Sequence, residues 1–135
     1  MRYMMLVYST EGPDGLPAEE AARIYAGHKQ VMDEATQKGV LVGAEPLAPT
    51  STATTVRVQE GKALVTDGPF AETKEHLAGY YIMNCENLDE AIEWAAKIPT
   101  VCQGGAGCIE IRPMRWQSPR AEPESIARDA VSLNG

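Results

Sequence analysis

The sequence has 135 residues, 44% hydrophobic and 23% charged, as expected for one globular domain. Its formal net charge of −7 argues against nucleic-acid or anionic-membrane binding, because both depend on Lys and Arg neutralising phosphates. We therefore expect a small molecule or a protein as partner. The apolar start MRYMMLVYST (1–10) is too short for a signal peptide or a membrane span, which predicts a cytoplasmic protein.

The cysteines indicate neither a disulfide framework nor a zinc site. Their number is odd, no C-x-x-C occurs, and the three residues are Cys85, Cys102 and Cys108. We interpret them as small buried hydrophobic residues in a reducing compartment. His28, Asp67 and one more carboxylate lack any metal-ligand spacing, so we expect no metal and no cofactor.

In chain order, the first half predicts a strand, an amphipathic helix, a strand and a hairpin. The strand is Tyr3 to Tyr8, and Gly39 ends the helix. A second strand follows at 40–45, and two hairpin strands, 52–59 and 63–66, turn at Glu60-Gly61. The apolar stripe of the helix consists of Ile24, His28, Val31, Met32 and Ala35.

The second half predicts a loop, VTDGPFAETKE (65–75), then a strand, a helix and a last strand. The strand covers 79–86, and Asn87 with Glu90 resembles a capping box that opens a helix over 88–97. Ile92, Ala95 and Ala96 are expected to face inward, and Pro99 ends the helix. A glycine-rich linker (103–107) and a strand (108–114) complete a domain of residues 1–116. Residues 117–135 form a C-terminal extension with a linker and a possible short helix at 125–133.

This order predicts an α+β, ferredoxin-like βαββαβ plan with an inserted β-hairpin. Both faces of the first strand are apolar, since Tyr3, Met5 and Val7 alternate with Met4, Leu6 and Tyr8. An antiparallel sheet with one solvated face should alternate apolar and polar residues. We therefore predict that a second copy covers the other face in a sheet-to-sheet homodimer.

His28 and Asp67 are the main candidates for chemistry. His28 is either a core residue whose polar atoms are satisfied or a proton-transfer group, since imidazole titrates near neutral pH. Asp67 either caps its own turn beside Gly68 and Pro69 or orients the imidazole of His28.

Four further residues have interpretations of their own. Phe70 either lines a pocket or anchors its loop in the core, and Tyr8 is a candidate for the pocket wall. Arg112, on the same face of the last strand as Glu110, either binds a substrate carboxylate or forms a cross-strand ion pair. His76 is expected in an exposed charged loop without a function.

The motifs MRYMMLVYSTEG (1–12), VTDGPFAETKE (65–75) and CIEIRPM (108–114) resemble the YCII-related proteins, and among them the branch named for Asp-Gly-Pro-Phe. The resemblance covers residues 1–116. It implies a ferredoxin-like fold, a dimeric α/β-barrel arrangement and an active site made by a His-Asp pair, here His28 and Asp67. This branch often has tyrosine at the position of His28, and the histidine favours the YCII-type pair.

The resemblance also implies two functions. Relatives in chloroaromatic breakdown and muconolactone isomerases imply acid-base chemistry of the isomerase, lyase or dehydrohalogenase type on a small, often cyclic substrate. The alternative is a non-catalytic ligand-binding or regulatory dimer, because proteins of this branch are associated with extracytoplasmic-function sigma factors. The first function requires His28 to change its protonation state, and the second does not.

Overall fold

The computed structural model describes residues 1–10, 17–100 and 107–115. These residues form an α+β fold of six strands and two α-helices. A short 3-10 turn, Thr50–Thr52, precedes the third strand. In chain order the elements are β1 Arg2–Ser9, α1 Ala18–Gln37, β2 Leu41–Pro46, β3 Thr54–Gln59, β4 Lys62–Asp67, β5 His76–Asn84, α2 Leu88–Ala95 and β6 Cys108–Pro113.

Four strands form one antiparallel sheet in the order β2-β5-β1-β6. This order is compatible with the predicted ferredoxin-like plan. In the described part of the chain, β3 and β4 pair only with each other. Their turn is at Glu60 and Gly61, as predicted, and the φ angles of 50° and 76° are those that a two-residue hairpin turn requires. The inserted hairpin is therefore separate from the main sheet.

The core lies between the four-stranded sheet and the two helices. Along β1, buried residues alternate with half-buried ones, and Met5 is completely buried. The neighbouring strand β5 places Tyr81 opposite Met5 and Met83 opposite Tyr3. Burying such side chains stabilises the fold by about 1.5–3 kcal/mol each, so this face of β1 and β5 is the centre of the domain.

Helix α1 covers one half of this face. It begins after Pro17, whose ring suits the start of a helix, and it ends before Gly39, which has a φ of 70° as is common after a helix. Val31 and Ala35 are its buried residues, as the predicted stripe requires. No helix of the described ranges is long and apolar enough to cross a membrane.

Helix α2 begins at the predicted cap. The side chain of Asn87 accepts a hydrogen bond from the backbone N–H of Glu90 at 2.9 Å. The carboxylate of Glu90 in turn accepts from the backbone N–H of Glu86 at 2.9 Å. The first bond satisfies an N–H group that the start of a helix leaves without a partner, and the second fixes the chain just before the cap.

The predicted inner face of α2 is partly wrong. Ala95 is buried as expected, but Ile92 is 49% exposed, and Ala96 is also exposed. The buried residues are Ala91, Trp94 and Ala95, whose spacing defines one helical face. The large indole of Trp94 occupies the core position expected for Ile92.

The opposite face of the sheet is apolar along β1 and β5 and has no cover among the described residues. Its half-buried side chains are Met4, Leu6, Tyr8, Tyr80 and Ile82. The β3–β4 hairpin also exposes apolar side chains, namely Val56, Val58, Leu64 and Val65. Large exposed apolar surfaces usually mark contacts with other molecules, and a second copy of this chain is one molecule that could cover them.

The predictions for His76 and Cys108, which lie at the ends of strands, also differ from the structure. His76 is half-buried at the start of β5, where it pairs with Ser9, and is not part of an exposed loop. Cys85 is buried as expected, but Cys108 is exposed because it lies on the uncovered face, opposite Tyr8. The linker at 103–107 lies almost entirely outside the described residues, as do Cys102 and the possible helix at 125–133.

Candidate active site

A cavity of about 190 Å³ lies between α1, the end of β2 and β5. Its wall is mainly apolar and includes Val7 and Met32, and Pro99 closes it from the segment after α2. The β5 wall at Gly79 is bare backbone. A Cβ there would lie 2.8 Å from the carbonyl oxygen of Glu45, so only glycine permits this approach of β2 to β5.

His28 and Tyr81 form the polar pair of this cavity. Nδ1 of His28 lies 2.6 Å from the hydroxyl oxygen of Tyr81. The two rings are nearly parallel, with an angle of 19° and a centroid distance of 6.0 Å. The helix supplies the imidazole from the predicted apolar stripe, and the centre of β5 supplies the phenol from the buried face of the sheet.

Burial determines the electrostatics of the pair. It lowers the pKa of His28 from its ordinary value, and it raises the pKa of Tyr81 to about 12, because a charge is less well solvated away from water. No carboxylate contributes to the pKa change at His28. Both side chains are therefore neutral at pH 7.

We expect this lowered pKa to make the fold sensitive to mild acid. A histidine with a depressed pKa binds its proton more weakly in the folded state, so its contribution to stability is present above about pH 6.5 and is lost as the pH falls through the folded pKa. We would measure the free energy of unfolding in urea at pH 7 and at pH 5. Its decrease between the two pH values should be smaller for His28→Gln than for the unchanged protein. A His76→Gln variant, which keeps His28, should retain the full decline. An equal decline in all three proteins would contradict this assignment.

Asp67 does not contact His28 within one chain. It is exposed at the end of β4, pairs with Thr54 in the hairpin, and does not line the cavity. The turn after it is held by backbone contacts: the N–H of Gly68 donates to the carbonyl of Ala53 at 2.7 Å. The hydroxyl of Thr55 donates to the carbonyl of Gly68 at 2.8 Å. Within one chain these contacts favour the structural interpretation of the Asp-Gly-Pro turn.

The three predicted substrate-binding residues also lie outside this cavity. Tyr8 lines a shallow depression with Cys108 and Glu110 on the uncovered face of the sheet. Arg112 is exposed on the edge strand β6. Phe70 is 79% exposed, so within the chain it neither anchors the loop nor lines the cavity.

Sequence reasoning did not identify Tyr81. The strand motif GYYIMN contains two adjacent tyrosines, and alternation alone does not say which of them faces the helices. The register of β5 against β1, which pairs Tyr81 with Met5, answers this question. Tyr25, at the rim of the cavity and 72% exposed, lies one helical turn before His28 and could have been found from that spacing.

Comparison with known proteins adds the family. Residues 1–116 match the YCII-related domain. The chain belongs to the YCII-related family. An uncharacterised protein of Rhizobium meliloti (strain 1021) is 35% identical over 124 residues, which cover 91% of this YCII-related chain and 99% of that protein. The name of that relative assigns no activity, so the function of this YCII-related protein must be argued from the cavity.

Proposed function

We propose that this YCII-related protein, of the Asp-Gly-Pro-Phe branch, is a small enzyme that carries out acid-base chemistry on a small organic substrate. The observation that supports this most is the imidazole of His28 in an apolar cavity of about 190 Å³, with Nδ1 held by Tyr81. A concave apolar site with few polar groups is the usual form of a small-molecule site. Imidazole is the most frequent proton carrier in such sites.

The reaction type follows from what one imidazole can supply. A positioned general acid or base contributes about 10²–10⁴ in rate, which suits isomerases, lyases and dehydrohalogenases. Amide hydrolysis needs an activated nucleophile as well, and the sequence has no G-x-S-x-G motif. In the described ranges, no three or more His, Cys, Asp and Glu residues lie close enough together to hold a metal ion.

The His28–Asp67 pair needs a second copy of the chain. Asp67 lies in a hairpin that exposes apolar residues and pairs with no other strand of the described chain. In the homodimer that we propose, the uncovered sheet faces pack together and the hairpin of one copy reaches the cavity of the other. Asp67 would then place its carboxylate near the imidazole of His28 from across the interface and stabilise the protonated ring by its charge, since Tyr81 occupies Nδ1.

Deuterium incorporation tests the proposed chemistry without a known substrate. Small ketones, lactones and halogenated ring compounds would be incubated with the protein in D₂O and examined by mass spectrometry. An enzyme of this type exchanges a proton next to the activating group, and the exchange should disappear in His28→Ala. Exchange that persists in this variant, or its absence for the whole set, would count against the proposal.

The ¹⁵N NMR signals of the two histidines test the pair. If Asp67 reaches His28, Asp67→Asn should lower the apparent pKa of His28, because a carboxylate stabilises imidazolium. A mixture of His28→Ala and Asp67→Asn chains should restore the unchanged His28 signal in mixed dimers only. If the ¹⁵N signal and the apparent pKa of His28 are the same in Asp67→Asn and in the mixture as in the unchanged protein, Asp67 is a structural turn residue.

Light scattering tests the dimer separately. Ile82→Lys, on the uncovered face, should reduce the mass to that of one chain, because the lysine charge would be buried without a partner. Glu93→Lys, on the exposed side of α2, is the control and should leave the mass unchanged. A single-chain mass for the unchanged protein would exclude the dimer.

One observation favours a second candidate, a non-catalytic ligand-binding or regulatory dimer linked to extracytoplasmic-function sigma factors. Within one chain, the hydrogen-bond partner of His28 is the neutral phenol of Tyr81. A phenol stabilises an imidazolium less than a carboxylate does. Such a pair suits the binding of a ligand. This candidate predicts binding of small ring compounds without deuterium exchange, and copurification of a sigma factor.

A further inference from the structure

We propose that the cavity takes an uncharged molecule with a single ring and a carbonyl-type oxygen, which accepts a hydrogen bond from Nε2–H of His28. This inference deepens the proposed function and uses the same cavity, but it concerns the bound ligand before any reaction. It is based on the protons of the His28–Tyr81 pair, the charges around the cavity and its volume.

The burial of Tyr81 assigns the protons of the pair. Tyr81 is only 4% exposed, and His28 is the one hydrogen-bond partner of its hydroxyl group among the described residues. If Nδ1 of His28 carried the ring proton, the phenol proton would be left without an acceptor, at a cost of about 1–3 kcal/mol. The phenol therefore donates to Nδ1, and a neutral imidazole must then carry its proton on Nε2.

The other ring nitrogen of His28, Nε2, is accessible. This nitrogen has no hydrogen-bond partner among the described residues, yet no buried side-chain nitrogen or oxygen there lacks a partner. Nε2 is therefore not sealed in the core. Since His28 lines the cavity, we infer that the Nε2–H group points into it and can donate to a ligand.

The charges around the cavity favour an uncharged ligand. Glu45, at the end of β2, is the one acidic residue among the described residues that line the cavity, and no Lys or Arg is among them. A carboxylate or phosphate entering the cavity would lose hydration without meeting a cation, which is costly. An uncharged acceptor oxygen meets the donor of His28 without that cost.

The volume of the cavity suits one ring. A dry apolar cavity of about 150 Å³ in another protein is known to bind benzene. The present cavity of about 190 Å³ therefore has room for one ring and a small substituent. A ring ketone or an aryl ketone combines this size with the acceptor that Nε2–H requires.

This arrangement assigns His28 an initial role as donor. A neutral imidazole that donates to a carbonyl oxygen polarises it, and the bond strengthens as negative charge develops on that oxygen. Because the phenol of Tyr81 keeps its proton, it fixes this tautomer and does not supply a charge. Tyr81 is thus a positioning residue, and His28 is the group that contacts the ligand.

The test uses three probes of similar size: acetophenone, benzoate and ethylbenzene. The ¹⁵N signals of His28 should show a protonated Nε2 in the free protein, and acetophenone should shift that signal. We expect acetophenone to bind about tenfold or more tightly than benzoate, which corresponds to about 1.4 kcal/mol, and more tightly than ethylbenzene. Benzoate binding as tightly as acetophenone, or a free protein with its proton on Nδ1, would overturn the inference.

Two variants separate cavity binding from surface binding. Ala44→Leu narrows the cavity and should weaken acetophenone binding. Because Ala44 lies opposite Tyr81 in the sheet, the ¹⁵N signals of His28 in this variant report whether the His28–Tyr81 pair is kept. Ala96→Leu adds the same atoms at an exposed position just after α2, outside the cavity, and should have no effect. Equal binding by both variants would place the probe elsewhere and overturn the inference.

The outcomes for the inference and for the enzyme proposal are distinguishable. Acetophenone bound at Nε2–H without deuterium exchange in any compound supports the inference and contradicts the enzyme. Deuterium exchange that needs His28, together with a proton on Nδ1, supports the enzyme with His28 as base and contradicts the inference.

Discussion

Replacing His28 with alanine is expected to lower kcat for a substrate found by deuterium exchange by about 10²–10⁴-fold. The reason is that His28 is the imidazole that lines the cavity, and its Nδ1 lies 2.6 Å from the hydroxyl oxygen of Tyr81, which fixes the ring orientation. The substitution removes a proton transfer that takes place only in the transition state, so kcat and kcat/KM should decrease by the same factor. Steady-state kinetics of the two proteins measures this change directly.

The other histidine provides the matched control. His76 lies at the start of β5 and does not line the cavity, so His76→Ala should retain kcat within about twofold, in line with the small effects usual away from a site. A thermal unfolding curve of each variant shows whether lost activity reflects lost folding. Retention of kcat in a folded His28→Ala protein would exclude His28 as the proton-transfer group.

Replacing Met83 with alanine is expected to lower the free energy of unfolding by about 2–5 kcal/mol. Met83 is 0% exposed and lies opposite Tyr3 in the centre of the sheet. Removing its side chain leaves a cavity that the neighbouring strands cannot close. Urea unfolding followed by circular dichroism measures the difference.

Ile92→Ala is the control for this loss. Ile92 is 49% exposed on α2, away from the hairpin and from the uncovered face of the sheet, so its truncation should lower the free energy of unfolding by about 1 kcal/mol or less. A decrease for Met83→Ala as small as that of Ile92→Ala would mean that β5 is not the centre of the core.

The fold could be predicted from local chemistry where one residue decides the conformation. The hairpin turn at Glu60 and Gly61 and the cap at Asn87 are such positions, and the structure confirms both. The buried face of α2 was harder to predict from the sequence, because Ile92 and Trp94 are both apolar. Only packing against the sheet determines that Trp94 is the buried one.

The candidate site could be predicted only in part. His28 is identifiable because it interrupts an apolar helical stripe, and the structure places it beside a cavity. Its partner Tyr81 is 53 residues away, and no local pattern links the two. Asp67 stands out for its turn motif, but the position of a hairpin relative to the rest of a protein depends on long-range contacts that sequence spacing does not contain.

Gly79, which has no side chain, limits the substitutions by which the shape of this cavity can change during evolution. The Cβ of any other residue at this position would collide with the carbonyl oxygen of Glu45 at 2.8 Å and with the Cα of Pro46 at 3.2 Å, so mutation cannot reshape the β5 wall there without separating two strands. New ligand preferences must therefore arise on the helical wall, where Tyr25, which is 72% exposed, can vary at little structural cost. Selection for a new substrate would act on α1 and leave the sheet unchanged.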